Sequence, residues 1–129
     1  MVKMIEFFEP YFSFSDSRGS ILGINNRFAF EEINLITSEK NCIRGGHYHK
    51  KTLEFFCILE GKIHITLFHI SDPKKNQQYL VEQGQIFCIF PNIVHTFEII
   101  DKSTWINMLD RKMEDDNKDF FTPHIKEEL

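Results

Sequence analysis

Cysteine is scarce in this chain of 129 residues: Cys42, Cys57 and Cys88 are an odd number, each in an apolar setting and at no metal-like spacing. That argues against a disulfide framework or a cysteine metal cluster and predicts three reduced thiols in a core. Basic charge is also in deficit, with 15 Lys and Arg against 19 Asp and Glu for a formal net charge of −4, and the densest basic group is Arg44, Lys50 and Lys51. No face collects cations, so no nucleic-acid partner is expected, whereas a small anionic ligand is compatible. Long apolar runs are missing too. None approaches the ~18 residues of a membrane span, and residues 1–14 carry Glu6, Glu9 and Pro10 where a signal peptide needs an unbroken apolar stretch. The expectation is a cytoplasmic protein with no membrane partner. Repeats and low-complexity tracts are absent, and no linker-like shift in composition occurs before Asp110. This predicts a single domain over residues 1–110 followed by an acidic tail over 111–129.

What the chain does have is apolar bulk: 42% of its residues are hydrophobic and 14 are Phe. A core covering roughly two thirds of the unfolded surface is within reach, which excludes intrinsic disorder. The apolar residues fall in runs over 6–14, 20–24, 28–36, 53–59, 62–70, 77–81, 85–90, 95–100 and 104–109, punctuated by Gly, Pro, Asn and Asp. Each is too short for a solitary helix and rich in Phe, Ile or Leu, so the fold class is all-β, a sandwich or barrel. Residues 53–59, Glu60-Gly61 and 62–70 read as a β-hairpin with a tight turn. The run 53–59 is apolar on both faces, with Phe56 and Ile58 on one and Phe55, Cys57 and Leu59 on the other. One face belongs to the interior, and a second subunit is the favoured cover for the other, hence a homodimer. In the tail, Phe120-Phe121 is the only reason to expect docking, as a short helix or a partly disordered segment.

Chemistry concentrates at His47-Tyr48-His49, where a strand of period two projects both imidazoles to one face. Glu54 follows at the start of the next run, and His95 follows a Pro91-Asn92 turn in which Asn accepts positive φ. Three His and one Glu suit a divalent cation such as Zn, Fe, Mn, Ni or Cu and leave a position open for water or substrate. By contrast, His64 and His69 read as surface or structural histidines, and His124 as solvent-exposed.

Spaced as His-x-His-x4-Glu-x6-Gly, residues His47, His49, Glu54 and Gly61 resemble the first cupin motif, and Gly84, Pro91, Asn92 and His95 resemble the second. Asn41 stands where the first motif usually begins with Gly, and Phe90 and Asn92 replace the usual Pro and Gly of the second; neither change touches a ligand position. The resemblance implies a double-stranded β-helix, or jelly-roll barrel, that binds a small molecule and is commonly dimeric. Arg44-Gly45-Gly46-His47-Tyr48-His49 is similar to the signature of nucleotide-sugar cupins: the dTDP-4-keto-6-deoxyhexose 3,4-ketoisomerases, the dTDP-4-dehydrorhamnose 3,5-epimerases and the metal-binding cupin domain of bifunctional capsular-polysaccharide enzymes. Asp16-Ser17-Arg18-Gly19-Ser20 resembles the segment that opens the ketoisomerase and epimerase chains. Glu31-Glu32-Ile33-Asn34 replaces the Arg and Tyr typical of the ketoisomerases, and retention of Glu54 resembles the capsular-polysaccharide type.

The expected activity is isomerisation or epimerisation of a nucleotide-linked 4-keto-6-deoxy sugar by proton transfer beside the carbonyl. Without metal, the resemblance makes His47 the base and His49 its partner; with metal, His47, His49, Glu54 and His95 become ligands, and Tyr48, Glu32 or metal-bound water is left as the base. Arg44, Arg18 and Lys50 are the candidates for substrate binding, Arg44 by a bidentate contact to a diphosphate or, equally, as a salt bridge at the barrel rim. Arg18 is expected to pair with Asp16 or a neighbouring strand. A non-catalytic sugar-binding cupin and an Fe(II) cupin oxygenase are the alternatives.

Overall fold

A computed structural model describes residues 2–114, 116 and 118–123, and among these every regular element is a strand. In chain order they are β1 (Ile5–Phe8), β2 (Phe12–Asp16), β3 (Gly19–Gly23), β4 (Glu32–Ser38), β5 (Ile43–His47), β6 (Glu54–His69), β7 (Asn76–Glu82), β8 (Ile86–Ile89) and β9 (Ile93–Leu109). No helix long and apolar enough to cross a membrane is present among the described residues.

Two long strands organise the molecule. β6 and β9 pair antiparallel from Glu54↔Leu109 to His69↔Ile93. On its other edge β6 takes β8 along its first half (Glu54↔Ile89 to Cys57↔Ile86) and β7 along its second (Lys62↔Glu82 to Phe68↔Asn76). β9 likewise takes β5 near its start and β4 near its end. The result is two layers, β1-β8-β6-β9-β4 and β7-β6-β9-β5, that share one core. Phe56, Ile58, Phe87 and Trp105 of the first layer meet Ile63, Ile65, Val81, Phe97 and Ile99 of the second. This is the expected jelly roll, a closed all-β sandwich whose inner faces exclude water.

The hairpin expected at Glu60-Gly61 is not there. Residues 54–69 form one strand, bulged at Ile58/Glu60, Glu60/Lys62 and Lys62/Ile63, and the runs 95–100 and 104–109 are likewise one strand. The polar residues that read as turns sit where the paired strands bend from one layer into the other, and bulges accommodate that bend without breaking the ladder. Gly61, at φ 104°, is the bend residue: a Cβ there would collide with Ser103 Oγ and lie 2.6 Å from the Lys102 carbonyl oxygen.

The chain itself covers Phe55 and Cys57 on the second apolar face of residues 53–59, while Leu59 is exposed. Phe55 and Cys57 pack under Ile24, Phe28 and Phe30, with Phe55 against the rings of Phe8, Phe28 and Phe30. Phe55 and Cys57 therefore do not themselves require a second subunit as cover. Cys57 and Cys88 are buried as expected, and Cys88 is pushed up to about 11 chiefly by burial; Cys42, by contrast, is exposed, because it precedes β5 in the connection from β4. The tail contains no helix among its described residues, and His124 lies outside them.

Candidate active site

β5 approaches β9 closely enough to pair His47 with His95 across a bulge between Gly45 and His47. Glycine is required for that approach: Gly45 has φ 100°, and a Cβ on it would strike the His95 carbonyl oxygen. Beyond the strand, His49 turns into the interior, where it is 6% exposed. Asn92 adopts the expected positive φ of 66°, and its N–H donates to the His49 carbonyl at 2.6 Å, tying the two histidine-bearing segments together. Glu54 opens β6 and is buried.

His49 Nε2 lies 3.0 Å and His95 Nε2 3.4 Å from the same oxygen, Glu54 Oε1. Asn107 Nδ2 donates to the other oxygen, Oε2, at 2.7 Å. Burial opposes the charge on Glu54, but the His49 hydrogen bond and the His95 and His49 charges hold its carboxyl at about 2. Burial also opposes charging of His49; the Glu54 hydrogen bond and carboxylate outweigh it and raise the imidazole above its usual value. Burial keeps His95 below it.

The other ring nitrogens meet backbone carbonyls, His49 Nδ1 at 2.5 Å from Asp119 O and His95 Nδ1 at 3.3 Å from Ile93 O. A carbonyl only accepts, so each imidazole carries its proton on Nδ1 and, when neutral, turns an Nε2 lone pair toward an anionic oxygen. Lone pairs facing one another in a buried site need a proton or a cation between them. The ligand atoms of His49, Glu54 and His95 all lie within 4.8 Å of one another, and donation of Nδ1–H to a carbonyl is the usual support of a metal-bound histidine. His49, Glu54 and His95 therefore fit a cation. His47 stays outside this set, its ring centroid 4.8 Å from His95 and 6.0 Å from His49.

Instead His47 lines a cavity of about 300 Å³ whose wall also includes Arg44, Glu54, His95, Trp105 and Asn107. Burial, then the charge of His95, lowers His47 to about 4, so the imidazole is a free base at neutral pH. Arg44 lines the same cavity, but its Nε donates to Ser38 Oγ (2.6 Å) and its Nη2 to Thr37 O (3.1 Å), tying β5 to β4 with no carboxylate partner among the described residues. Trp105 Nε1 and Asn107 Oδ1 are buried without a hydrogen-bond partner among the described residues.

The remaining candidates lie elsewhere. Arg18 grips Asp16 Oδ2 through Nε (3.0 Å) and Nη2 (2.6 Å) at the turn of the β2–β3 hairpin. Tyr48 is bridged to Phe121, Lys50 Nζ sits 4.1 Å above the Phe121 ring, and Glu32 accepts from Asn34 Nδ2 and the Met113 amide; none of the four lines the cavity. His64 bonds Gln78 and His69 bonds Ser71, as structural histidines do. The residues that sequence patterns missed are Asn107, a polar side chain on the inward phase of an apolar strand, and Asp119, which carries no local signal of its place at the site; Phe120-Phe121 does dock, as its apolar pair suggests, and it docks on the histidine motif.

Among solved structures, the sugar 3,4-ketoisomerase QdtA from Thermoanaerobacterium thermosaccharolyticum, in complex with TDP, superposes with TM-score 0.77 at 17% identity, over 94% of this chain and 89% of that one. dTDP-4-dehydrorhamnose 3,5-epimerase from Bacillus anthracis, with TDP and PPi bound, gives TM-score 0.72 at 19% identity, over 87% and 75%. The capsular polysaccharide assembling protein CapF from Staphylococcus aureus gives TM-score 0.69 at 19% identity, over 88% of this chain but 34% of that one. These likenesses show a common jelly-roll fold. No curated protein sequence matches significantly. The family model described as the polysaccharide biosynthesis C-terminal domain matches residues 14–117, most of the described barrel, and the chain belongs to that family.

Proposed function

We propose that the protein is an isomerase or epimerase that moves a proton beside the carbonyl of a nucleotide-linked 4-keto-6-deoxy sugar in surface-polysaccharide biosynthesis. The observation that carries this reading is the separation of His47, an uncharged imidazole on the cavity wall, from the Glu54-centred trio beside it. At about 300 Å³ the cavity is at the small end of ligand pockets and suits one sugar ring, with the nucleotide lying outside. Hydrogens flanking a ketone are acidified, and His47 takes one and returns it on another carbon or the opposite face. Arg44, on the same wall, is placed to bind an anionic part of the ligand once it exchanges its neutral partners Ser38 and Thr37. His49, Glu54 and His95 would hold a divalent cation (Zn, Fe, Mn or Ni), which supplies polarisation of the ketone. Ligation and proton transfer then fall to different histidines and do not compete.

The same reading makes the protein a cytoplasmic homodimer. The dimer is supported by hairpin β2–β3, a separate two-stranded sheet on which Phe12, Phe14, Ile21 and Leu22 are all exposed. Such a hairpin is marginal alone in water, and a second copy would cover it.

Incubation with dTDP- and UDP-4-keto-6-deoxy sugars in deuterated water tests the activity. Deuterium entering the ring next to the carbonyl is the expected result. Ligand-induced thermal stabilisation with no exchange from any of these sugars would replace the enzyme by a sugar-binding cupin.

A further inference from the structure

Residues 119–121 lie directly on the His47-Tyr48-His49 motif. The Asp119 carbonyl accepts from His49 Nδ1 at 2.5 Å, the Phe120 ring lies 4.1 Å from the His47 ring, and Phe121 exchanges backbone hydrogen bonds with Tyr48 at 2.9 and 3.0 Å. A separate set of bonds latches this segment to the barrel. The Asp119 carboxylate accepts from three successive backbone amides, Lys50 (2.8 Å), Lys51 (2.7 Å) and Thr52 (2.9 Å), and from the Thr52 hydroxyl (2.9 Å). Consecutive N–H groups converging on one point form an anion-binding concavity, and here the anion is the chain's own. The strap lies beyond residues 14–117 covered by the family match.

We propose that this strap positions the histidine pair, its Asp119 carbonyl fixing which nitrogen of His49 faces Glu54 and its Phe120 ring holding the orientation of His47. The inference rests on the proposed roles of His47 and His49. Neither strap residue lines the cavity, so both act through the imidazoles rather than on a ligand.

The full chain is compared with Asp119→Ala, which unlatches the strap, Phe120→Ala, which removes the ring, and the conservative Asp119→Asn and Phe120→Tyr. Amide exchange at Lys50, Lys51 and Thr52 reports the latch, and 13C relaxation at the imidazole Cε1 reports ring order. In the wild type the three amides are expected to be protected and both rings ordered. Asp119→Ala is expected to speed exchange at the three amides at least tenfold and mobilise both rings; Phe120→Ala should mobilise His47, 4.1 Å away, more than His49, 6.0 Å away, with Phe120→Tyr restoring both. Zinc affinity, measured by competition with a chelator, is expected to drop 10–100-fold in Asp119→Ala, the usual cost of losing the carbonyl behind a ligating histidine, and to recover in part in Asp119→Asn. Rings equally ordered in all five proteins, or exchange at the three amides unchanged by Asp119→Ala, would overturn the proposal. A wild type that turns over no sugar and binds no zinc would remove the proposed function while ring order still decided the strap.

Discussion

Replacing Glu54 by Gln removes one charge at nearly constant shape from the centre of the site. The structure says where the new amide goes: its oxygen takes the place of Oε2, accepting from Asn107 Nδ2, and its NH2 turns toward His49 Nε2, which is then neutral and accepts. Every hydrogen bond of the metal-free site survives, so the several kcal/mol cost of breaking a buried ion pair is avoided and the metal-free stability should change by about 1 kcal/mol or less. Metal binding behaves differently, because the only anionic ligand of the trio is gone. A cation at 100 times its dissociation constant stabilises the wild type by about 2.7 kcal/mol. With 129 residues and an unfolding entropy of about 2.1 cal/mol/K per residue, that is a rise in Tm of about 10 °C. Calorimetry of both proteins with zinc and with chelator measures the difference, beside elemental analysis of protein purified without chelator. About one equivalent of metal and the Tm rise are expected in the wild type, and neither in Glu54→Gln. A variant that still binds one equivalent and shows the full rise would refute the placement of the cation on Glu54.

His47→Gln should lower proton exchange on a 4-keto sugar 10²- to 10⁴-fold, the usual contribution of a positioned general base, while isothermal titration still finds the sugar nucleotide bound; exchange within threefold of wild type would move the base elsewhere. Gly61→Val meets both a positive φ and the Ser103 and Lys102 contacts, so it should destabilise the fold by about 2 kcal/mol or more in urea melts. Acid should release the strap. Hydrogen bonds from residues 50–52 outweigh burial and hold Asp119 below the usual carboxylate value. Its latch is therefore at full strength above that ordinary value and is lost as pH falls through the lowered one. The Thr52 amide resonance should report the change, and a flat profile down to the acid unfolding transition would count against the latch.

The site was largely legible because cupin-like spacing is a local pattern with a physical reason behind each position. His47, His49, Glu54 and His95 are all legible in the sequence, and the structure brings them together: His47, Glu54 and His95 line one cavity, and His49 bonds Glu54. The division among them was not legible. It depends on the bulge at Gly45 that turns His47 toward His95, and on Asp119, 70 residues from His49, which accepts from its Nδ1. The Arg18–Asp16 pair is legible in the turn sequence, whereas motif and charge do not reveal that Arg44 ties β5 to β4 or that Lys50 lies over Phe121.

Strand content, the all-β class and the inward phase of residues such as Phe56 and Ile58 followed from the sequence by itself, since period and bulk are properties of neighbours along the chain. Where a polar break was a turn and where it was a bend, which face of β6 its own chain would cover, and that the tail would close on the histidine pair were decided only in three dimensions. Glu60-Gly61 looks like any tight turn until β9 is seen pairing past it, and Asp119 looks like any tail acid until three amides of residues 50–52 meet its carboxylate. Long-range pairing selects among conformations that short-range pattern leaves nearly equal in energy, so those features belong to the tertiary structure.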